Sequence, residues 1–498
     1  MIRAPAAGAP GRGRRRLALT ATLVASLSPA LAPPASAQRA PDRPRNIVFI
    51  LSDDHRYDFM GFHPAAPAFL ETPALDRMAR EGAHLANAFV NTSLCSPSRA
   101  SILTGRYPLE HGVIDNQSSL RPGETFFPGI LQSAGYATAF VGKWHMGEHS
   151  DEPQPGFDHW VSFQGQGVYF DPTLNVDGER GAVEGYTTDI LTDRAIAWLD
   201  RVKDGEKPFF LYLSHKAVHA EFEPAPRHRD RYAGTPIPYP ETMAATEANY
   251  AGKPRWVREQ RSSWHGVDYL YHGQMTFDAF YRRYAETLLA LDESVGRVLD
   301  YLEQEGLAES TLVVYMSDNG FLLGEHGLID KRNAYEESIR IPMLAWAPGT
   351  IEAGRTIEEM VLNVDMAPTF LDLASVEVPE RMAGRSLVPL LVGEPSEWRE
   401  EMLYVYYWEY PFPHTPTVLA VRDPRYKYIF YHGIWDTNEL YDVASDPRET
   451  RNLIADPAYE AIAKELKDRL FDRLEAADGM KVPFQRPGDW QAAERGPP

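Results

Sequence analysis

Four short apolar runs, each breaking directly into a cluster of reactive side chains, constrain this chain more than any other feature. Residues 46–51 (NIVFIL) run into Ser52-Asp53-Asp54-His55, and residues 137–141 into Gly142-Lys143-Trp144-His145. Residues 209–213 run into Ser214-His215-Lys216, and residues 312–316 into Ser317-Asp318-Asn319-Gly320. Continuous β-rich apolar runs of this length suit strands buried on both faces, as in parallel sheets. Between them, residues 72–81 predict a helix, with Thr72 as N-cap and Pro73 in the first turn. A long amphipathic helix is predicted over 280–306, with Leu288, Leu291, Val295, Val298, Leu299 and Leu302 on one face. Parallel α/β sheets bind ligands beyond the carboxyl ends of their strands. The four polar clusters are therefore expected to meet in one site.

The texture changes after about Ala383. Aromatic-rich runs at 402–408, 417–422 and 426–431 predict antiparallel strands, and 458–474 a terminal helix. The expected fold class is α/β: a large, mostly parallel sheet between helices over 44–383, then a smaller α+β domain with an antiparallel sheet over 384–498. Residues 224–273, rich in Pro, Tyr, Arg and Gly, predict a long loop near the site mouth.

A chain of 498 residues, 44% hydrophobic, can bury a large core without staples. Its net charge of −20 argues against a nucleic-acid partner, which would need a basic face. Residues 1–37 read as an export signal: Arg12, Arg14, Arg15 and Arg16, then a short apolar stretch, then Ala35-Ser36-Ala37. Losing its five arginines would take the net charge from −20 to −25. No stretch is apolar for long enough to span a membrane. The expectation is a periplasmic or secreted protein without stable membrane insertion. Such proteins use cysteines in pairs. This chain has one, Cys95.

Asp53, Asp54, Asp318 and Asn319 are oxygen donors at strand ends, and an all-oxygen set selects a hard cation, calcium or magnesium. Cys95-Ser96-Pro97-Ser98-Arg99 stands just before a predicted helix, with Pro97 in its first turn. Free amides there, together with Arg99, favour an anion. A thiolate facing a hard cation is a mismatch, and an oxygen in its place would fit better.

Cys95-Ser96-Pro97-Ser98-Arg99 followed by Leu103-Thr104-Gly105-Arg106 resembles the signature of the formylglycine-dependent type I sulfatases, of the alkaline phosphatase-like superfamily. The resemblance runs from NIVFILSDDHR to the C-terminal Asp-Pro-Arg-Glu-Thr-Arg-Asn-Leu. It implies that Cys95 is converted to formylglycine by a formylglycine-generating enzyme, and that its hydrated aldehyde is the nucleophile. It also implies that Asp53, Asp54, Asp318, Asn319 and the modified Cys95 bind a calcium ion. Arg99 then positions the nucleophile and the sulfate, Lys143 and His145 contact both, and Lys331 holds a sulfate oxygen. His111 helps orient the modified residue. His219 is the general acid, with His215 as its neighbouring competitor, because Val218 stands where relatives often have Pro.

The segment 318–337 (DNGFLLGEHGLIDKRNAYEE) and Tyr406-Tyr407-Trp408-Glu409-Tyr410 are most similar to sulfatases acting on sulfated sugars, N-acetylglucosamine-6-sulfatases among them. Trp408, Glu409 and His414 are the candidate sugar contacts. The expected substrate is a sulfated sugar or another small sulfate ester. The alternatives are a phosphonate monoester hydrolase or phosphodiesterase of the same superfamily, and a non-catalytic secreted carbohydrate-binding protein.

Overall fold

The four apolar runs become neighbours in the middle of one ten-stranded sheet. The computed structural model describes residues 45–120, 123–261, 271, 273 and 275–483. The expected export signal at 1–37 lies outside the described residues. The strands are β1 (Asn46–Ser52), β2 (Ala83–Phe89), β3 (Ala137–Lys143), β4 (His159–Phe163), β5 (Thr173–Val176), β6 (Glu179–Ala182), β7 (Phe209–Ser214), β8 (Thr311–Ser317), β9 (Met343–Trp346) and β10 (Arg355–Leu362). Their order is β10-β2-β9-β8-β1-β7-β3-β4-β5-β6. The run β8-β1-β7-β3-β4 is parallel. Antiparallel pairings occur around β9 and at the β5-β6 edge.

Alternation along the central strands feeds two cores. Val48, Ile50, Val141, Leu211, Leu213 and Val313 face the helix Phe277–Gln304 through Leu288, Leu291, Val295, Val298, Leu299 and Leu302. Ile47, Phe49, Leu51, Phe210, Val314 and Met316 face the other side, with Ile102, Leu103 and Phe370. Each fully buried Val, Leu or Ile contributes about 1.5–3 kcal/mol, so the register of these strands is firmly set.

That register positions the chemistry. Ser52 of β1 pairs with Ser317 of β8, so Asp53 and Asp318 leave the sheet side by side. Leu51 pairs with Ser214 of β7, and Ser214 with Gly142 of β3, bringing Lys143 and the 215–219 turn to the same edge. Gly142 has φ 127°, and a Cβ there would meet the Ser214 carbonyl oxygen at 1.7 Å, so only glycine fits.

The smaller antiparallel sheet comprises β11 (Met402–Tyr406), β12 (Thr417–Arg422), β13 (Tyr426–His432) and β14 (Glu439–Asp442). One face packs Tyr404, Tyr406, Ile429 and Tyr441 against Leu322, Leu328, Tyr335 and Ile339 of the segment that follows β8. The other is covered by Leu466, Leu470 and Leu474 of the helix Glu460–Ala476. Within the expected 224–273 loop, the helices Glu247–Tyr250 and Arg255–Gln260 form, separated by turns.

Candidate active site

Cys95 opens the helix Cys95–Thr104, one position further into it than the sequence suggests. Every residue of this helix is buried, and the oxidisable sulfur itself is 0% exposed. The helix points its free amide end at the carboxyl edge of the sheet. Cys95 Sγ lies 2.9 Å from Lys331 Nζ and 3.6 Å from Asp53 Oδ1. Burial, with Asp53 nearby, pushes the thiol up to about 12. An unmodified Cys95 is thus a protonated, unreactive thiol at neutral pH.

Asp53, Asp54 and Asp318 place carboxylate oxygens within 4.8 Å of one another. Burial alone would raise Asp53, but Lys143, with His219, Arg99 and Lys331, outweighs it and holds the carboxyl well below its ordinary range. Asp54 goes the other way: burial, with repulsion from Asp53 and Asp318 and against the pull of Lys331, pushes it up to about 6. Asn319 Nδ2 donates to Asp54 Oδ1 at 2.6 Å and to the Gly320 carbonyl at 2.8 Å. Its Oδ1 is buried and has no hydrogen-bond partner among the described residues. Three crowded carboxylates beside an orphaned amide oxygen fit a hard divalent cation of the calcium type. Asp53, Asp54, Asp318 and Asn319 are the residues that would hold it.

Arg99, 1% exposed, ties this set together. Its Nε donates to Asp318 Oδ2 at 2.9 Å and its Nη2 to Asp53 Oδ2 at 3.1 Å. Nη1 donates to the Lys143 carbonyl and to Ser214 Oγ, both at 2.7 Å. The guanidinium fork thus braces two acids from two strands, a task a lysine cannot perform.

Cations surround the sulfur. Lys143 Nζ bonds Asp53 Oδ2, and Gln166 Oε1 at 2.6 Å. Lys331 Nζ bonds Asp54 Oδ1 at 2.5 Å besides approaching Cys95. Burial works against its ammonium, but Asp54 and Cys95 outweigh that and hold it above its ordinary value. His145 Nε2 donates to Glu148 Oε1 at 2.9 Å, leaving Nδ1 buried and without a partner among the described residues. Burial, with Lys143, lowers His145 to about 4, so its ring is neutral. His219 Nδ1 donates to the Ala220 carbonyl, and its Nε2 lies 3.8 Å from Asp54 Oδ2.

With this geometry in place, residues 45–376 match the Sulfatase family, and residues 324–476 match the family described as N-sulphoglucosamine sulphohydrolase, C-terminal. The chain belongs to the sulfatase family. It is a sulfuric ester hydrolase. It is 37% identical over 502 aligned positions to an N-acetylglucosamine-6-O-sulfatase of Bacteroides thetaiotaomicron, covering 88% of each chain. It is 32% identical to the N-acetylglucosamine-6-sulfatase of Homo sapiens, over 72% of this chain and 67% of that one. A solved structure in complex with its substrate D-glucosamine-2-N,6-O-disulfate superposes with a TM-score of 0.77 at 34% identity, covering 88% of this chain and 99% of that one.

The remaining residues of this sulfatase divide by position. His215 Nε2 bonds Ser294 Oγ at 3.0 Å, under the sheet and against the helix Phe277–Gln304; His219, not His215, stands beside Asp54. His111 Nε2 bonds Ser101 Oγ at 3.0 Å, in the second turn of the Cys95 helix. Glu409 is 1% exposed, and its Oε1 accepts from Arg332 Nε and Tyr406 OH, both at 3.0 Å. Arg332 adjoins Lys331 and lies over the Phe412 ring at 3.6 Å. Trp408 and His414 line a cleft of about 490 Å³ on the smaller sheet, with His432 and Ile434. Three participants escaped the sequence reading: Gln166, Glu148 and Lys216. Burial, with Lys143 nearby, lowers Lys216 to about 8, and its Nζ bonds the Ala220 carbonyl at 3.2 Å beside His219. Its position in His215-Lys216 at a strand end was the available signal; Gln166 and Glu148 carried none.

Proposed function

We propose that this sulfatase removes sulfate from a sulfated sugar, with 6-O-sulfated N-acetylglucosamine as the leading candidate, using formylglycine at position 95 and one calcium ion. One observation carries the chemistry: the only cysteine sits buried among three carboxylates and two lysines, at a helix N-terminus. A thiol has no use there, whereas an oxygen nucleophile does. The sugar is supported by 37% identity to the bacterial N-acetylglucosamine-6-O-sulfatase over 88% of both chains.

A sulfate ester resists attack because its oxygens repel an incoming nucleophile. Lys143 and Lys331 neutralise that charge from two sides, and Arg99 keeps Asp53 and Asp318 in place. Calcium supplies further charge neutralisation and makes a hydroxyl beside it more acidic. His145 Nδ1, the unpartnered acceptor, takes a hydrogen bond from the nucleophile. His219, its Nδ1–H anchored on the Ala220 carbonyl, gives a proton from Nε2 to the departing alcohol oxygen. That step needs the doubly protonated ring, which burial, Lys143 and Lys331 oppose and Asp53 favours. The hydrated aldehyde at position 95 would supply two hydroxyls: one to bond sulfur as the bond from sulfur to the alcohol oxygen breaks, the other to give up its proton so that C=O re-forms as the C–O bond to sulfate breaks.

The same proposal divides the chain into a catalytic part over 44–383 and a C-terminal part over 384–498, supported by the ten-stranded sheet ending at Leu362 and the antiparallel one beginning at Met402. Export through the 1–37 segment is part of the same proposal. Among the described residues no helix is long and apolar enough to cross a membrane.

The test is sulfate release from 2-, 3-, 4- and 6-O-sulfated monosaccharides, an aryl sulfate and an aryl phosphodiester, on protein whose Cys95 conversion is verified by mass. The 6-O-sulfated N-acetylglucosamine is expected to turn over fastest. Faster phosphodiester cleavage would move the protein to the phosphonate hydrolase branch. Sugar binding without sulfate release would make it a binding protein.

A further inference from the structure

A second cluster of metal-ligating side chains lies away from Cys95, at the seam between the segment carrying Lys331 and the smaller sheet. His326, on the turn Glu325–Gly327, is 0% exposed, and neither of its ring nitrogens has a hydrogen-bond partner among the described residues. Its ring lies on Tyr335 with centroids 4.0 Å apart, which fixes its plane but satisfies neither nitrogen. Glu337, on the helix Glu336–Ile339, is buried, and its Oε2 is likewise without a partner among the described residues. Ligand atoms of His326, Glu337 and Glu449 all lie within 4.8 Å of one another.

The ion pairs around the cluster pass Glu337 by. Lys427 Nζ bonds Glu449 Oε1 at 2.6 Å and Glu336 Oε1 at 3.1 Å. Arg422 completes the Glu336 pair, and Lys253 lies 4.0 Å from Glu439. Arg56 is engaged by Asp58 and Glu325. Glu337 is left without an ion-pair partner among the described residues, next to a neutral imidazole with a free lone pair. Glu449 Oε2 accepts the Glu336 amide at 2.7 Å, yet each of its carboxylate oxygens keeps a second lone pair. The unpartnered His326 ring nitrogens and Glu337 Oε2 are gathered with Glu449 in one buried cluster, a donor set that a cation would satisfy.

We propose that His326, Glu337 and Glu449 form a second metal site, for a divalent ion of the zinc class, which staples the active-site segment to the smaller sheet. One imidazole nitrogen with two carboxylates is a set that zinc accepts. Calcium prefers six to eight oxygens, and imidazole suits it poorly. The two sites thus sort metals by donor type: the all-oxygen set beside Cys95 takes the hard ion, and the mixed set takes the borderline one. The second site bridges residues 326 and 337, which flank Lys331, to residue 449 beyond the smaller sheet. Filling it would fix the segment that delivers Lys331.

Zinc is the probe. The full-length protein is equilibrated with zinc and calcium, desalted and assayed for both metals by mass spectrometry. The expected content is about one zinc per chain, with zinc raising Tm by several degrees. His326→Ala and Glu337→Gln are expected to lose the zinc and the Tm rise while keeping calcium. Zinc absent from the wild-type protein, or retained in both variants, overturns the proposal. If either variant fails to fold, cobalt(II) titration of the wild-type protein decides the matter. Visible ligand-field bands displaced by zinc and not by calcium support the site, and their absence refutes it. Neither readout depends on sulfate release, so failure here leaves the sulfatase reading standing.

Discussion

Arg99→Lys separates charge from geometry in the fork that braces Asp53 and Asp318, because it keeps the positive charge and discards the shape. Arg99 makes four side-chain bonds, to Asp318 Oδ2 (2.9 Å), Asp53 Oδ2 (3.1 Å), the Lys143 carbonyl (2.7 Å) and Ser214 Oγ (2.7 Å). An ammonium carries three donors on one atom and cannot reproduce the fork's four bonds to two acids, a carbonyl and a hydroxyl. About two of these contacts would be lost, each costing about 1.5–3 kcal/mol because the partner is buried and one side is charged. The folded state therefore loses about 3–6 kcal/mol in all. If half of that reappears as misplacement of Asp53 and Asp318 in the transition state, turnover falls about 10- to 100-fold. The assay is the rate of sulfate release on fully converted protein, with Tm measured in parallel. Arg99→Gln, which also removes the charge, is expected to fall further. A lysine variant within roughly twofold of wild type and with unchanged Tm would refute the bracing role and leave Arg99 as a mere charge.

Cys95→Ala is expected to abolish sulfate release, and the Cys95 peptide of active protein to be lighter than the thiol form and to react with an aldehyde-trapping reagent; full activity from an unmodified thiol would reject the nucleophile. Chelation of calcium is expected to lower both activity and Tm, with calcium restoring them. Asp292 makes a pH prediction away from the reaction centre. It accepts the Ala74 and Leu75 amides at 3.1 and 2.9 Å, and burial pushes its carboxyl from 3.8 up to about 7. The folded protein thus keeps a proton that the unfolded chain releases, so the stability this group contributes is complete below about pH 4 and is lost as pH rises towards 7. Asp292→Asn should flatten the dependence of Tm across that window, and an unaltered slope would assign it to other groups.

The central strands were legible because burial on both faces leaves a continuous apolar signature, and the residues that end them were legible because polar clusters recur at the ends of all four. β6, with all four residues exposed, and β2, written AHLANAF, carry no such signature and are recruited by their neighbours. At the site, oxygen donors at strand ends pointed to Asp53, Asp54, Asp318 and Asn319, and it took the family resemblance to add Cys95 and Lys331 to them. The choice between His215 and His219 was not legible: both follow the same strand, and only the turn after Ser214 sends one under the sheet and the other to Asp54. Glu409 shows the opposite limit. An acid beside aromatics suits a sugar hydroxyl, but its oxygen is bonded to Arg332, a contact spanning 77 residues that no local pattern announces.

The complete enclosure of Cys95 sets an order of events in the life of the protein. Its side chain is buried beside Asp53 and Lys331, next to the bond by which the Asp54 amide donates to Asp318 Oδ1 across 264 positions of chain. An oxidising enzyme has no access to that side chain once the sheet has closed. On the proposed formylglycine reading, conversion of Cys95 would therefore precede folding, on the nascent or still-extended polypeptide.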